Sequence, residues 1–430
     1  MSALLDSLTA AFDTLPLRDA GGLEAARRDA LDALRRDGLP GPRVEAWKYT
    51  SLRPLERRTF AAANEALAFD GAWVATIPSP RIAFVNGRFA SELSDLSSLA
   101  SGIAVESLSS VLARGDAREC NILGRRFDRA DEPFARLNAA LAVDGAIVRV
   151  DAGVHVARPL HVVSIGAPAA TDVASHVRHL FDLHEGARLE IVEHAIAAAP
   201  HANLATSVTH AHLKPGAHLL HARLQAESDA AHLFSRTDAV LARDAVYRRL
   251  DLELGAGMSR HELNIALHGE RARADANGVL LGSGRRHLDT RLGLDHVGRD
   301  SQCELTWRGL ASGRSRVAFH GGILIREGAD GTQASLSNKN LLLSDAAEID
   351  SQPVLVIHAD EVQAAHGATV GQLDPTSLFY LQSRGIPAAE ARALLTAAFC
   401  RETLAVLDDG ATRDLLAARL DAALARVETP

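Results

Sequence analysis

Six short tokens decide how the chain folds: EGARLEI at residues 185–191, PGAHLLH at 215–221, RDAVYRR at 243–249, ERARADA at 270–276, RDSQCEL at 299–305 and EGADGTQ at 327–333. They recur roughly every 27 to 30 residues, centred near Gly186, Gly216, Ala245, Ala272, Ser301 and Gly328, which is a period that marks stacked solenoid architectures. Between and around them lie short, β-branched, largely alternating runs: WVATI, RIAFVNGRFA, AIVRVDAGVHV, LHVVSIG, LEIVEHAI, HLLHARLQAE and VLVIHADEV. A propeller also yields periodic strands, but its blades are longer and carry recurring aromatics, whereas aromatics are only 4% here. A β-helix fits better, with each coil burying Val, Leu, Ile and Ala against the next. The exposed end coils then need covers, because open strand edges invite aggregation.

Helical segments flank this core and are expected to supply those covers. At the N-terminus, LLDSLTAAFDTL and LEAARRDALDALRRDGLP carry apolar residues at helical spacing, the second closed by Gly38 and Pro40. Trp47, Tyr49, Leu52 and Leu55 interleave in RVEAWKYTSLRPLERR and suit either an end cap or ordinary packing against the body. At the C-terminus, Asp374 and Pro375 open a helix that stops at Gly385. Pro387 opens a second, ended by Asp408, Asp409 and Gly410. Thr412 caps a third, whose Leu415, Leu416, Leu420, Ala423 and Leu424 form one stripe wanting a partner. The division expected is a helical domain at 1–70, a β-helix core at 71–372 and a helical domain at 373–430. The fold class read from this pattern is mainly β, a β-helix (solenoid) core between helical domains.

Composition narrows the function. With 47% hydrophobic and 23% charged residues, the chain should fold as an ordinary globular protein. Its net charge of -8 disfavours nucleic acid. Cys120, Cys303 and Cys400 are far apart and odd in number, so neither a disulfide framework nor a CxxC knuckle is expected, which suits a reducing compartment, the cytoplasm. Asp6 and Asp13 interrupt the first apolar stretch, so it does not read as a secretion signal, and no apolar run approaches membrane-spanning length.

Candidate chemistry is sparse. All 19 histidines fall between His155 and His366, several in strand contexts such as His210 with His212 or His218 with His221, where a His-lined face could hold iron or zinc. No HExxH or CxxC accompanies them, and solvated or hydrogen-bonded strand histidines are the simpler reading. None of the three lysines follows a glycine, so there is no phosphate-cradling GxxxxGK[ST] loop. LLGSGRRH reads as a solenoid turn rather than a dinucleotide site, and GxSxG is absent. Asp289, Asp295 and Asp300 keep a β-helix carbohydrate-active enzyme in view, although sugar-stacking aromatics are scarce.

Residues 320–386 are similar to the shared C-terminal signature of the SufB/SufD family of iron–sulfur cluster assembly scaffolds. The match runs through NKNLLLS at 338–344, Asp360 to Val362, HGATVG at 366–371 and 378–386. It extends upstream through FARLNAALAVDGAIVRVDAGVHVARPLHV, LHARLQAESDAAHLFS and RLDLELGAGMSRHELNIALHGERARADANGVLLGSGRRHLDT. EAWKYTSLRPL at 45–55 looks like the SufD branch, as does the length; a SufB-like cluster-bearing scaffold is the alternative. The resemblance implies a right-handed parallel β-helix between helical domains, and a non-catalytic scaffold that pairs through its β-helix with a SufB-like subunit and binds a SufC-like ATPase through 373–430, with Phe379, Tyr380 and Arg384 as contributors. An isolated chain could also pair with a second copy. The resemblance further places a nascent Fe–S cluster at the SufB–SufD interface, with His366 as this chain's metal-ligating candidate and no cofactor held stably by the chain alone. Where many members read Cys-Ser-His, this chain has Ala364, Ala365 and His366, so any thiolate ligand must come from the partner. Cofactor-binding residues are not assigned.

Overall fold

The computed structural model describes residues 2–427 apart from 42, 64–68 and 128–129, and omits the side chain of residue 122. The close of the 1–70 segment at 64–68 and the last residues of the 373–430 segment at 428–430 thus lie outside the described residues.

The chain winds into a parallel β-helix with two long faces. One sheet stacks Ile103–Ser107, Ala146–Val150, Val173–Leu183, Leu204–Leu213, His232–Leu241, Met258–Leu267, His287–His296, Arg316–Ile325 and Glu348–Ile357 in that order. The other stacks Arg88–Phe89, Arg81–Val85, Leu160–Gly166, Arg188–Ala197, His218–Ala226, Val246–Glu253, Arg273–Gly282, Gln302–Ala311, Gln333–Leu342 and Gln363–Gly371. Successive strands alternate between sheets, so every coil contributes one strand to each. Neighbours pair in parallel except at the N-terminal end, where Arg81–Val85 meets Arg88–Phe89 and Ile103–Ser107 meets Ala146–Val150 in antiparallel fashion.

The recurring tokens are the corners of these coils. A residue in the left-handed region stands at each: Gly153, Gly186, Gly216, Asp244, Arg271, Asp300 and Gly331. Each donates its backbone N–H to the carbonyl preceding the equivalent corner of the next coil, as from Gly186 to Pro215 at 2.9 Å and from Gly331 to Glu361 at 2.7 Å. From Gly186 onward a small, fully buried residue follows: Ala187, Ala217, Ala245, Ala272, Ser301, Thr332. The corner thus needs tolerance of positive φ and then a side chain small enough to turn inward. The final corner falls at Gly331 and not at Gly328, because the Ala329–Thr332 turn belongs to the stacked column.

Inside, alternate residues of the two sheets form one apolar stack that includes Phe181, Leu219, Ile265, Leu292, Trp307 and Phe319. The outward faces are apolar too, and the helices are drawn there. Leu4, Leu8, Phe12 and Leu31 of the N-terminal helices pack with Trp47 and Phe134 against Ala174, Leu204, Phe234 and Met258 of the first sheet. Cys400, Leu404, Leu407, Leu416 and Leu420 pack against Leu224, Leu250, Leu252, Val279 and Leu310 of the second. The helical flanks therefore clad the sides of the solenoid, where burying apolar strand residues against apolar helix residues is favourable, in place of the end coils. Trp47, Leu52 and Leu55 likewise sit on a side, with the Arg260 guanidinium 3.9 Å from the Trp47 ring centre.

Other local readings need correction. WVATI is a 3₁₀ turn, Ala72–Thr76, with only Val74 buried. Three helices, Leu108–Arg114, Ala117–Cys120 and Pro133–Leu141, interrupt the strands. All nine residues of Pro133–Leu141 are buried, including Arg136 and Asn138, so the helix has no solvent-facing side. Arg136 and Asn138 are accommodated by donating to the Phe127 carbonyl at 2.7 Å and the Val177 carbonyl at 2.8 Å. The final helix, Ala411–Leu424, starts from Gly410, so Thr412 lies inside its first turn. No described helix is long and apolar enough to cross a membrane.

Candidate functional site

The solenoid's C-terminal coil differs from those beneath it. Among the described residues, Glu348–Ile357 and Gln363–Gly371 each have a strand neighbour on one side only, and both are half-exposed to exposed along their length. Val356, Ile357 and Val370 are exposed apolar side chains there. The free edges present unpaired backbone donors and acceptors, as an end coil must unless another chain continues the ladder.

His366 lies on Gln363–Gly371 and is exposed. Its strand partner is Leu336, which continues through Leu305 to Ala276, all members of the interior stack. His366 therefore occupies an inward position of the terminal coil, at the mouth of the solenoid. Ala364 and Ala368 flank it on the same face, so no neighbouring side chain on its own strand crowds the imidazole.

Beneath this mouth the interior is polar. Asn338 and Asn340 are buried, and the Asn340 amide donates to Asn338 Oδ1 at 2.7 Å and to the Thr369 carbonyl at 3.0 Å. The Ser351 hydroxyl donates to the same Asn338 oxygen at 2.6 Å. Trp307 and Phe319, ring centres 5.3 Å apart, close the layer below. These amides fall within NKNLLLS, but nothing in the one-letter sequence says they face inward; only the register does.

On the C-terminal helices, Pro375–Ser383 is capped by Asp374, whose carboxylate accepts from the backbone N–H groups of Thr376 at 3.2 Å and Ser377 at 2.9 Å. Phe379 is 71% exposed and Tyr380 56%, with the Arg384 guanidinium 5.2 Å from the Tyr380 ring centre. By contrast Leu416 and Leu420 of the last stripe are fully buried against the second sheet. The structure does not bring Phe379, Tyr380 and Arg384 together with His366 into one pocket.

The histidines scatter. His210 and His212 share the outward face of the first sheet, ring centres 6.4 Å apart. His218 and His221 are three residues apart on a strand and face opposite sides. Among the described residues, no group of three His, Cys, Asp or Glu side chains is placed to hold a metal ion. Several histidines are buried and partnered instead. His161 Nδ1 lies 3.0 Å from His194 Nε2, and His221 Nδ1 lies 2.9 Å from the Tyr247 hydroxyl. Burial pushes His161, His221 and His296 down to about 4.

His221 belongs to a second polar interior region that sequence reasoning missed. Glu193 accepts from the Thr209 hydroxyl at 2.9 Å and lies 3.3 Å from His221 Nε2. Burial pushes the Glu193 carboxyl up, but His221, His179 and Arg249 beside it prevail and hold it well below the usual carboxylate range. Arg249 in turn pairs with Asp251 at 2.6 Å, both fully buried. A cavity of about 50 Å³ adjoins, lined in part by Ser164, Ser175, Ser207, His179, Glu193 and Arg223. Alternation along a strand could have placed these groups inside, but only once the register was known.

The three aspartates do not converge. Asp289 and Asp295 are six residues apart on one extended strand, roughly 20 Å, and Asp300 is a corner residue. Asp289 accepts from the Thr50 hydroxyl at 2.5 Å and pairs with Arg260, while Asp295 pairs with Arg326 at 2.7 Å. Paired carboxylates for glycoside cleavage must lie far closer. The cysteines are buried and free, and burial pushes the Cys303 and Cys400 thiols up to about 12, so neither is a nucleophile at neutral pH.

Two family models together cover most of the chain. The SufBD core domain of the SUF FeS cluster assembly system matches residues 166–399, and the SufBD protein N-terminal region matches 4–162. The iron–sulfur cluster assembly protein SufD of Escherichia coli is 31% identical over 90% of this chain and 90% of its own length. An iron–sulfur cluster assembly SufBD family protein of Synechocystis is 30% identical over 88% of this chain and 86% of its own. SufD of Bacillus subtilis is 28% identical over 63% of this chain and 62% of its own. With the solenoid and its N-terminal region both matched and a SufD relative aligned almost end to end, the chain belongs to the SufB/SufD family and is of the SufD type.

Proposed function

We propose that the chain is a non-catalytic scaffold subunit of the SUF iron–sulfur cluster assembly complex, working in the cytoplasm. Its terminal coil pairs with a SufB-like sister subunit, and residues 373–430 dock a SufC-like ATPase through a surface that includes Phe379, Tyr380 and Arg384. The nascent cluster is cargo built at the shared interface and is not a resident cofactor. His366 supplies an imidazole nitrogen to its iron, a ligation iron–sulfur centres accept. The partner supplies the thiolate, since Ala364 and Ala365 offer none.

The observation that carries this reading is the position of His366: an exposed imidazole on the last strand of the solenoid, beside a sheet edge with no neighbour. A sister subunit that extended either sheet would enclose it. The exposed aromatic pair on Pro375–Ser383 supports the ATPase surface, since exposed aromatics are enriched where partners bind.

The test is reconstitution with a SufB-like subunit and a SufC-like ATPase. His366→Ala is expected to leave complex formation intact and to lower cluster yield, read by absorbance. Undiminished yield removes His366 from the mechanism. Failure of the wild-type chain to capture either partner in a pull-down removes the scaffold reading itself, and a purified chain that cleaves polysaccharide unaided would replace it.

A further inference from the structure

Coils within the solenoid are held by backbone ladders on both sides, whereas the C-terminal coil is held on one. Strands at a free edge open locally at far lower cost than strands within the stack. Yet His366, if it is to meet iron in a fixed geometry, stands on that weakly held coil. Something other than the ladder must brace it.

The polar layer under the mouth has the connectivity of a brace. Asn338 Oδ1 accepts from Ser351 of Glu348–Ile357, in the opposite sheet, and from Asn340 on its own strand. Asn340 donates onward to the carbonyl of Thr369, three residues beyond His366 on the terminal strand. Three strands from the last two coils, one of them carrying His366, are thus tied through one pair of buried amides. Around the pair itself the stack is not polar: Asn338 lies between Trp307 below and Ala368 above, and Asn340 between Gly309 and Val370, while three coils down the same columns turn polar again at Asp251 and Glu253. Buried amides cost desolvation unless fully bonded, so it is the bonds of this pair that let it stand in the coil under the free edge. Space for them is reserved as well, since a Cβ on Gly309 would stand 2.3 Å from Asn340 Oδ1.

The geometry points to Asn338 as a positioning residue for His366: with Asn340 and Ser351 it locks the terminal coil to the one below and holds the imidazole in place for incoming iron. This rests on the reading of His366 given above.

The experiment uses the full chain in complex with a SufB-like subunit and a SufC-like ATPase, and ferrous iron with sulfide as the probe. Asn338→Leu keeps the volume and removes the bonds. Its amides in 363–371 are expected to exchange with deuterium about tenfold faster, the loss of roughly one buried bonding network, while strands 258–325 stay unchanged. The ferrous iron concentration giving half-maximal cluster formation should rise several-fold at unchanged maximal yield and unchanged partner affinity. A merely structural defect would instead lower the maximum by the fraction of complex lost. Ser351→Ala, at the rim and tolerated even if the Asn338 variant misfolds, should shift both readouts in the same direction, and Ser351→Thr, which keeps the hydroxyl, should restore them.

Unchanged exchange in 363–371 overturns the brace. Faster exchange with an unmoved iron dependence, in a chain where His366→Ala does move it, overturns the positioning role. If His366→Ala itself leaves iron dependence unmoved, the reading of His366 fails, and the exchange rates alone then uphold or overturn the brace.

Discussion

Truncating Leu416 to alanine is expected to release the C-terminal helices from the solenoid without unfolding the solenoid. Leu416 is fully buried, in a layer with Leu404, Leu407 and Leu420 against Leu250, Leu252, Val279 and Leu310. Deleting a buried leucine side chain to Ala costs about 2–5 kcal/mol in transfer and cavity terms. Taking about 3 kcal/mol, local opening becomes roughly a hundredfold more frequent. The polar anchors of the same face remain: Arg308 with Glu402 at 2.8 Å, Arg248 with Asp408 at 2.6 Å, and the Asn277 amide donating to the Thr403 carbonyl at 2.8 Å. The Arg248–Asp408 pair sits at the rim, with Asp408 85% exposed, and contributes little, whereas Arg308, Asn277 and Thr403 are buried and their bonds hold only while the apolar layer keeps them together. Native-state hydrogen exchange read by mass spectrometry should show residues 388–424 exchanging about a hundredfold faster, with strands 258–342 unaltered. Leu394→Ala, at a side chain 48% exposed on Ala388–Arg401, should change neither. Equal acceleration across helices and strands would refute the reasoning, because it would mean the two unfold as one unit. So would a Leu416→Ala chain indistinguishable from wild type.

Stability should fall as the pH drops from about 6.5 towards 4. Burial holds His161, His221, His232 and His296 near 4, whereas an unfolded imidazole takes its proton near 6.5, so in that window the unfolded chain binds more protons. The contribution is complete above the unfolded value and is lost on acidification; equal urea midpoints at pH 7.5 and pH 5 would contradict this. Cys120, Cys303 and Cys400 should resist iodoacetamide in the native protein and all alkylate in denaturant, since each thiol is buried and pushed up by that burial. Labelling of Cys303 at native rates would show that the solenoid interior opens. Gly278→Ala should destabilise by about 1–3 kcal/mol in a urea titration, because the added Cβ would stand 2.2 Å from Trp307 Cζ3; an unchanged midpoint would mean the indole has room to retreat.

Much of this protein is written in local pattern. The corner tokens needed only a residue tolerant of positive φ followed by a small one, and both are visible as letters, so the stacked coils and their period follow from sequence. The C-terminal helix starts were equally legible where a cap is a single side chain, as at Asp374, or a proline, as at Pro387. The corner near Gly328 was misplaced because two glycines compete within EGADGTQ and only stacking selects Gly331. Pro133–Leu141 is buried on every side, so its two polar residues, Arg136 and Asn138, mark no solvent face and its short length leaves it unread among the strands.

What the tertiary structure alone decided is which way each residue faces and which coil is last. Register is a property of strand pairs, and a shift of one residue exchanges inside for outside. The sequence by itself therefore determined a solenoid, its corners and a histidine in a recognisable segment. Only the stacked coordinates put Asn338, Asn340 and Ser351 together beneath that histidine, sent the helices to the flanks, and left the final coil with a free edge.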